Sequence, residues 1–305
     1  RARHVVDDYL TELEGWDTVI DRSYEYSPRD EIVAVRDATA EDTSYAYDAR
    51  GRLLTREQGT VRETFAWDPN GNRAGHGVTV ERGNRLVTMG SITLEYDQAG
   101  RVVKKTRRSG NGRETWTFEW HASGCLSCVT SPAGQKTRYA YDAFGRRLRK
   151  SGTDGRDVRY DWDGNALLAE RNEAGDERIF LFDDSDPFYP VAQRDNGAWH
   201  HYLSTPAGTP TELLDSRATI AWSATLASYG MVERESGKVR SPLRFQGQYA
   251  DGESGLHYNR FRYYDPEIGV YLTPDPISIE GGLNEYQYTL NPIGWVDPIG
   301  WADGA

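Results

Sequence analysis

Only two cysteines and two methionines occur among these 305 residues, and no apolar run approaches the roughly 18 residues of a membrane-spanning helix. Two cysteines cannot build a disulfide framework. With His121, Cys125 and Cys128 read as His-x-x-x-Cys-x-x-Cys, three of the four ligands that a structural zinc takes. No second cysteine pair completes the set, so neither a metal nor a cofactor is expected. Cationic surplus is also lacking: 36 Lys and Arg face 47 Asp and Glu, for a net charge of -11. Phosphate contacts need clustered Lys and Arg, so a nucleic-acid-binding surface is not expected. Two local basic clusters, Lys104 to Arg108 and Arg146 to Lys150, read as solvated strand faces. The N-terminus carries no signal-peptide pattern. It opens on Arg1 in mid-pattern, which reads as the start of a fragment or processed piece.

Aromatic residues and glycines are plentiful: 19 Tyr, 9 Trp and 31 Gly. With a mean hydropathy of -0.73, that mixture suits many strands with one wet face, joined by tight turns. The order of the residues is sharper than their numbers. Tyr45-Ala-Tyr47-Asp48-Ala-Arg-Gly51-Arg52 returns as Tyr139-Ala-Tyr141-Asp142-Ala-Phe-Gly145-Arg146. Weaker copies place the Asp, or its substitute, at 27, 68, 97, 121, 163 and 183. Steps of about 20 residues mark stacked arrays. Alternating aromatics put both rings on one face of a strand. Asp first and Gly fourth then suit a type I turn, and the following Arg starts the return strand. The repeat's Asp and Arg residues are therefore read as turn caps and cross-strand partners, since a catalytic set would not recur eight times.

Eight such phrases in phase resemble the YD repeat of Rhs proteins, found in bacterial polymorphic toxins and toxin-complex subunits, with the teneurins as distant relatives. The resemblance implies an all-β fold: an antiparallel hairpin spiral forming part of a hollow shell around a C-terminal toxin. The blocks Pro242 to Tyr249, Gly255 to Pro266, Gly269 to Pro276 and Asn284 to Pro292 are similar to the Rhs-associated core that closes such a shell. The chain then divides into a lead-in over 1–19 with apolar spacing compatible with a short helix, repeats over 20–190, and connecting strands over 191–241. The core with its cleavage motif follows over 242–301, and 302–305 are a remnant of the toxin segment.

Asp275-Pro276-Ile277-Ser278 and Asp297-Pro298-Ile299-Gly300 stand 22 positions apart. In the resembled family, paired Asp-Pro-x-Gly motifs mark self-cleavage after a hydrophobic residue. This implies a cut between Trp301 and Ala302, although Ser278 replaces the first Gly and Trp301 the usual Leu. Two carboxylates that share one proton provide an acid and a base at the same pH. Asp275 and Asp297 are accordingly the candidate catalytic pair, with Pro276, Pro298 and Gly300 shaping their turns. Both motifs are also good type I turns, a purely structural role that can coexist with the chemistry.

The expected function is a shell that encloses a C-terminal toxin and releases it by a single aspartyl self-cleavage. The resemblance implies as partners the toxin domain, the N-terminal part of the same protein, a secretion spike protein, a chaperone and an immunity protein. It also implies export by a type VI secretion system or a toxin complex. A surface repeat protein that binds glycans or neighbouring cells through exposed aromatics is the alternative. A glycoside hydrolase is a poor third reading, since among 47 Asp and Glu residues no carboxylate pair stands out beyond Asp275 and Asp297.

Overall fold

The computed structural model describes residues 20–110 and 112–301, and its regular structure there is almost entirely antiparallel strand. The lead-in expected over 1–19 and the remnant over 302–305 lie outside the described residues. Two compact units divide at Phe65/Ala66. The first holds a five-stranded sheet, β1 (Arg22–Tyr26), β2 (Ile32–Asp37), β3 (Thr43–Tyr47), β4 (Leu53–Gln58) and β5 (Val61–Thr64), in sequence order. The second opens with a short ribbon, β6 (Ala66–Trp67) and β7 (Arg73–Ala74). A sixteen-stranded sheet follows, from β8 (Val78–Glu81) to β23 (Val232–Gly237), each strand paired to its neighbour in the chain. A four-stranded sheet completes it: β24 (Tyr249–Asp251), β25 (Leu256–Asn259), β26 (Arg262–Asp265) and β27 (Val270–Tyr271). The change of spacing after Asp183 leaves no break in the large sheet, which runs on to Gly237.

One hairpin explains the others. At Asp142 the Gly145 amide donates to the Asp142 carbonyl at 3.2 Å, closing the turn, while Gly145 takes φ +75. Asp142 Oδ1 accepts the amides of Phe144 and Arg146, each at 2.9 Å, and Oδ2 takes the Arg146 Nε. Asp48 and Asp97 repeat this arrangement with Arg52 and Arg101. A register shift before the second aromatic, as between Ala140 and Tyr141 or Ala46 and Tyr47, accompanies each turn. Such bulges increase twist, which a long sheet needs in order to curve. The repeat's Asp residues are turn caps. Its Arg residues pair within their own turn rather than across strands, and Arg101 and Arg146 also reach the next turn, at His121 O (2.9 Å) and Gly164 O (3.2 Å).

The second aromatic does more than fill space. Tyr47, Tyr96 and Tyr141 donate to the carbonyls of Ile32, Leu86 and Leu126 at 2.7, 2.7 and 2.8 Å. Trp120 and Trp162 reach Val102 and Arg147 at 2.8 Å through the indole N–H. A ring with a polar tip is therefore needed there, because each bond ties a hairpin to the one before it.

The position after Gly-Arg is buried: Leu53 and Val102 are fully covered. In the repeat of Asp142 that position is Arg147, only 1% exposed and ion-paired to the buried Asp251. Lys150 joins the same carboxylate at 3.0 Å and Glu253 at 3.1 Å, and Lys105 pairs with Asp265 at 2.5 Å and Glu267 at 2.7 Å. The expected solvated strand faces are thus half wrong. Inward members of both basic clusters anchor the four-stranded sheet to the large one: the pleat sends Lys105 and Arg107 to the covered face, and the bulge after Arg147 brings Lys150 onto the same face as Arg147. Tyrosine rings fill the rest of that junction, as in Tyr139–Tyr263 at 5.6 Å and Tyr160–Tyr249 at 5.4 Å.

Candidate functional site

Strands β25 and β26 are joined by a two-residue turn, with Asn259 opposite Arg262 and Arg260 at φ +54. A positive φ at the first turn position matches the twist of the strands and normally selects glycine. All four residues of β26 are buried, so Arg262 emerges into a dry interior and must find acceptors there. It finds four. Its Nη2 lies 2.9 Å from Asp275 Oδ2 and 3.0 Å from Asp297 Oδ2, while Nε and Nη1 donate to the Gly300 and Glu285 carbonyls. The guanidinium also stacks over the Tyr271 ring, 3.6 Å from its centroid.

A single nitrogen therefore bridges the two aspartates 22 residues apart in the chain, and their Oδ2 atoms lie within about 6 Å of one another, the range in which like charges perturb each other. Both carboxylates are buried, at 6% and 2% exposure. Asp275 caps its own turn, accepting the Ile277 amide at 3.0 Å on Oδ1 and the Ser278 amide at 2.9 Å on its carbonyl. Ser278 holds φ +58, so the turn expected of a glycine survives with a serine in a left-handed conformation. Asp297 is held differently. Its Oδ2 accepts the Tyr271 hydroxyl at 2.8 Å, its carbonyl accepts Asn259 Nδ2 at 2.8 Å, and its Oδ1 is buried with no hydrogen-bond partner. Burial lifts the Asp297 carboxyl above the usual carboxylate range. Arg262, the Tyr271 hydroxyl and the Trp301 amide oppose that rise, and Asp275 adds to it.

Pro298 and Ile299 form the second turn, and Gly300 follows at φ +70. A Cβ on Gly300 would sit 2.6 Å from the Asn259 carbonyl, so the close approach to the hairpin requires glycine. The segment runs along the β25–β26 tip: the Phe261 amide donates to Ile299 O at 3.3 Å, and the Trp301 ring stacks on Phe261 with centroids 4.6 Å apart and planes at 22°. Ala302 lies outside the described residues. Asp275 and Asp297 are thus brought together, with Trp301 beside them. Arg262, Asn259, Phe261 and Tyr271 were not singled out from sequence. The one available signal was an arginine set between Phe261 and Tyr263 in an otherwise aromatic strand. Among the described residues no three His, Cys, Asp or Glu side chains are placed to hold a metal, and His121 serves a turn, its amide bonded to Cys125 O at 2.8 Å.

A sequence-ordered array of capped hairpins, covered by a small sheet whose Arg262 holds a buried carboxylate pair, defines the class of protein. The pattern described as Teneurin YD-shell matches residues 24–291, and the chain belongs to that family. Curated relatives are Rhs-type bacterial toxins. The chain is 34% identical to the double-stranded DNA deaminase toxin A of Burkholderia cenocepacia and 33% identical to the probable deoxyribonuclease RhsA of Dickeya dadantii. Each match takes in 92% of this chain but only 22% and 21% of those proteins. The fold is shared with a chain in the Photorhabdus luminescens Tc holotoxin pore structure, at a TM-score of 0.73 and 20% identity, over 93% of this chain and 17% of that one.

Proposed function

We propose that this chain is the closing portion of a toxin-enclosing shell, and that it hydrolyses its own Trp301–Ala302 bond with Asp275 and Asp297. The observation that carries the reading is the bridge of Arg262 Nη2 to both carboxylates, with Arg262 Nε on the Gly300 carbonyl one residue before Trp301. With a proton on its Oδ1, Asp297 acts as the acid and Asp275, facing the same Arg262 nitrogen, as the base. Asp275 takes a proton from water as the water oxygen bonds to the Trp301 carbonyl carbon, and Asp297 gives its proton to the carbonyl oxygen. The C–N bond then breaks as Asp275 passes its proton to the Ala302 nitrogen, and Asp297 recovers its own as the Trp301 carboxyl forms. Water is the sole co-reactant, and the site acts once.

The cargo is the chain's own C-terminal toxin domain, severed covalently while the wall holds it. The N-terminal part of the same protein supplies the remaining wall. A secretion spike, as in type VI secretion, or a toxin-complex injector carries the assembly out, with a chaperone and an immunity protein guarding the producing cell. An adhesion reading asks for exposed aromatics, whereas Tyr26, Phe144 and Trp199 are the exposed ones among the described residues.

The test is a fusion of a reporter domain after Ala305, followed by intact mass and N-terminal sequencing. Two polypeptides are expected, the smaller beginning at Ala302, and Asp275→Asn or Asp297→Asn leaves one. Cleavage that persists in both variants removes the assignment.

A further inference from the structure

The residue before the proposed cut is Trp301, where the resembled family pattern carries Leu. The structure supplies a partner for that change. Phe261 stands at the tip of the β25–β26 hairpin, and its ring lies against the Trp301 indole at 4.6 Å and 22°. Three contacts fix the Phe261 ring and backbone. The two-residue turn between Asn259 and Arg262 sets the main chain, and the Phe261 amide holds Ile299 O at 3.3 Å. On the wall side, a Cβ on Gly145 would meet Phe261 Cδ1 and Cε1 at 3.1 Å, so the turn glycine of one repeat backs the ring closely. The Tyr258 hydroxyl bonds the Gly145 carbonyl at 2.9 Å and locks that turn to β25. The indole N–H of Trp301 is buried without a partner. Its polar end therefore contributes nothing to the fit, and the flat ring face does.

We infer that Phe261 is the specificity-determining residue of the cleavage site, selecting a flat aromatic side chain at position 301 by stacking. The inference rests on the self-cleavage reading. An aliphatic side chain fills space but offers no ring face, and a stacked pair outperforms its mere area by a factor of about three to ten. A phenylalanine lacks the stranded N–H and stacks equally, so it is accepted.

The experiment follows cleavage over time in cell-free translation of the chain with a reporter domain after Ala305. Trp301→Phe is expected within about threefold of the parent rate, and Trp301→Leu slower by about three- to tenfold. In a Phe261→Leu background the Trp301 chain and the Trp301→Leu chain should be cut at equal rates. This ratio is insensitive to general damage from the hairpin substitution, and Phe261→Tyr should restore the preference. A Trp-over-Leu preference that survives Phe261→Leu, or a Trp301→Leu chain as fast as the parent, overturns the inference. Cleavage that is normal but indifferent to Asp297→Asn overturns the carboxylate mechanism alone, since the preference is still measured. A parent chain that is never cut overturns both.

Discussion

Asp297→Asn should abolish cleavage and stabilise the fold at the same time. The substitution keeps the shape of the side chain and removes its charge. Its amide oxygen can take the Oδ2 position and still accept from Arg262 Nη2 at 3.0 Å and the Tyr271 hydroxyl at 2.8 Å, with the amide nitrogen at the partnerless Oδ1 site. Each of those bonds falls from charge-assisted to neutral strength, a loss of about 1 kcal/mol apiece. Against this stands the burial of a carboxylate beside Asp275, a penalty of several kcal/mol per ion. The raised pKa of Asp297 says that the penalty wins. The amide nitrogen, without an acceptor in that site, costs about 1–3 kcal/mol of its own, so the net gain at pH 7 is at most about 1 kcal/mol, a Tm rise of up to about 2–4 °C for a unit of this size. Because the folded pKa lies above the ordinary 3.8, folding favours the proton. The associated stability is whole below pH 3.8 and is lost as pH rises through the folded value. The advantage of Asn should therefore shrink toward zero below about pH 4. Differential scanning calorimetry across pH in an Asp275→Asn background, where neither chain is cut, is the measurement. Burial, the largest cause of the shift, is unchanged there. A Tm that falls at pH 7, or a gain that is flat down to pH 3, refutes the reasoning, and a cut Asp297→Asn chain refutes the mechanism.

Arg147→Leu installs the apolar residue that other repeats carry but leaves the buried Asp251 with Lys150 alone, and should cost about 1.5–3 kcal/mol, the worth of a charged hydrogen bond; adding Asp251→Leu should recover at least half in urea titration. Tyr96→Phe removes the 2.7 Å bond to the Leu86 carbonyl and should cost about 1 kcal/mol, read as a lower urea midpoint with an unchanged slope. His257 is pushed down to about 3, first by burial and then by Arg244. Since its folded pKa is depressed below 6.5, stability is lost as pH falls from 6.5 toward 3, by about 2.7 kcal/mol at pH 4.5. His257→Gln should flatten that acid dependence, checked by comparing urea midpoints at pH 7 and 4.5.

Local chemistry was legible wherever the cause and the effect lie within a few residues. Asp142, Gly145 and Arg146 make one turn by themselves, so their spacing predicted it, and the antiparallel array followed from its repetition. The two Asp-Pro turns stood out for the same reason. Arg147 did not, because a buried arginine is explained only by Asp251, 104 positions away. Nor did the inward half of each basic cluster, since alternation defines two faces and not which of them is covered.

By itself the sequence determined the hairpin, its caps, its period and the family. Each depends on dihedral preferences and hydrogen bonds closed within a single turn. Tertiary structure alone decided that Asp275 and Asp297 meet on one nitrogen of Arg262, that Tyr271 and Asn259 hold the second carboxylate, and that Trp301 lies against Phe261. Those contacts depend on how the four-stranded sheet seats on the large one, and that seating is a sum over packed rings and buried ion pairs that no short stretch of sequence contains.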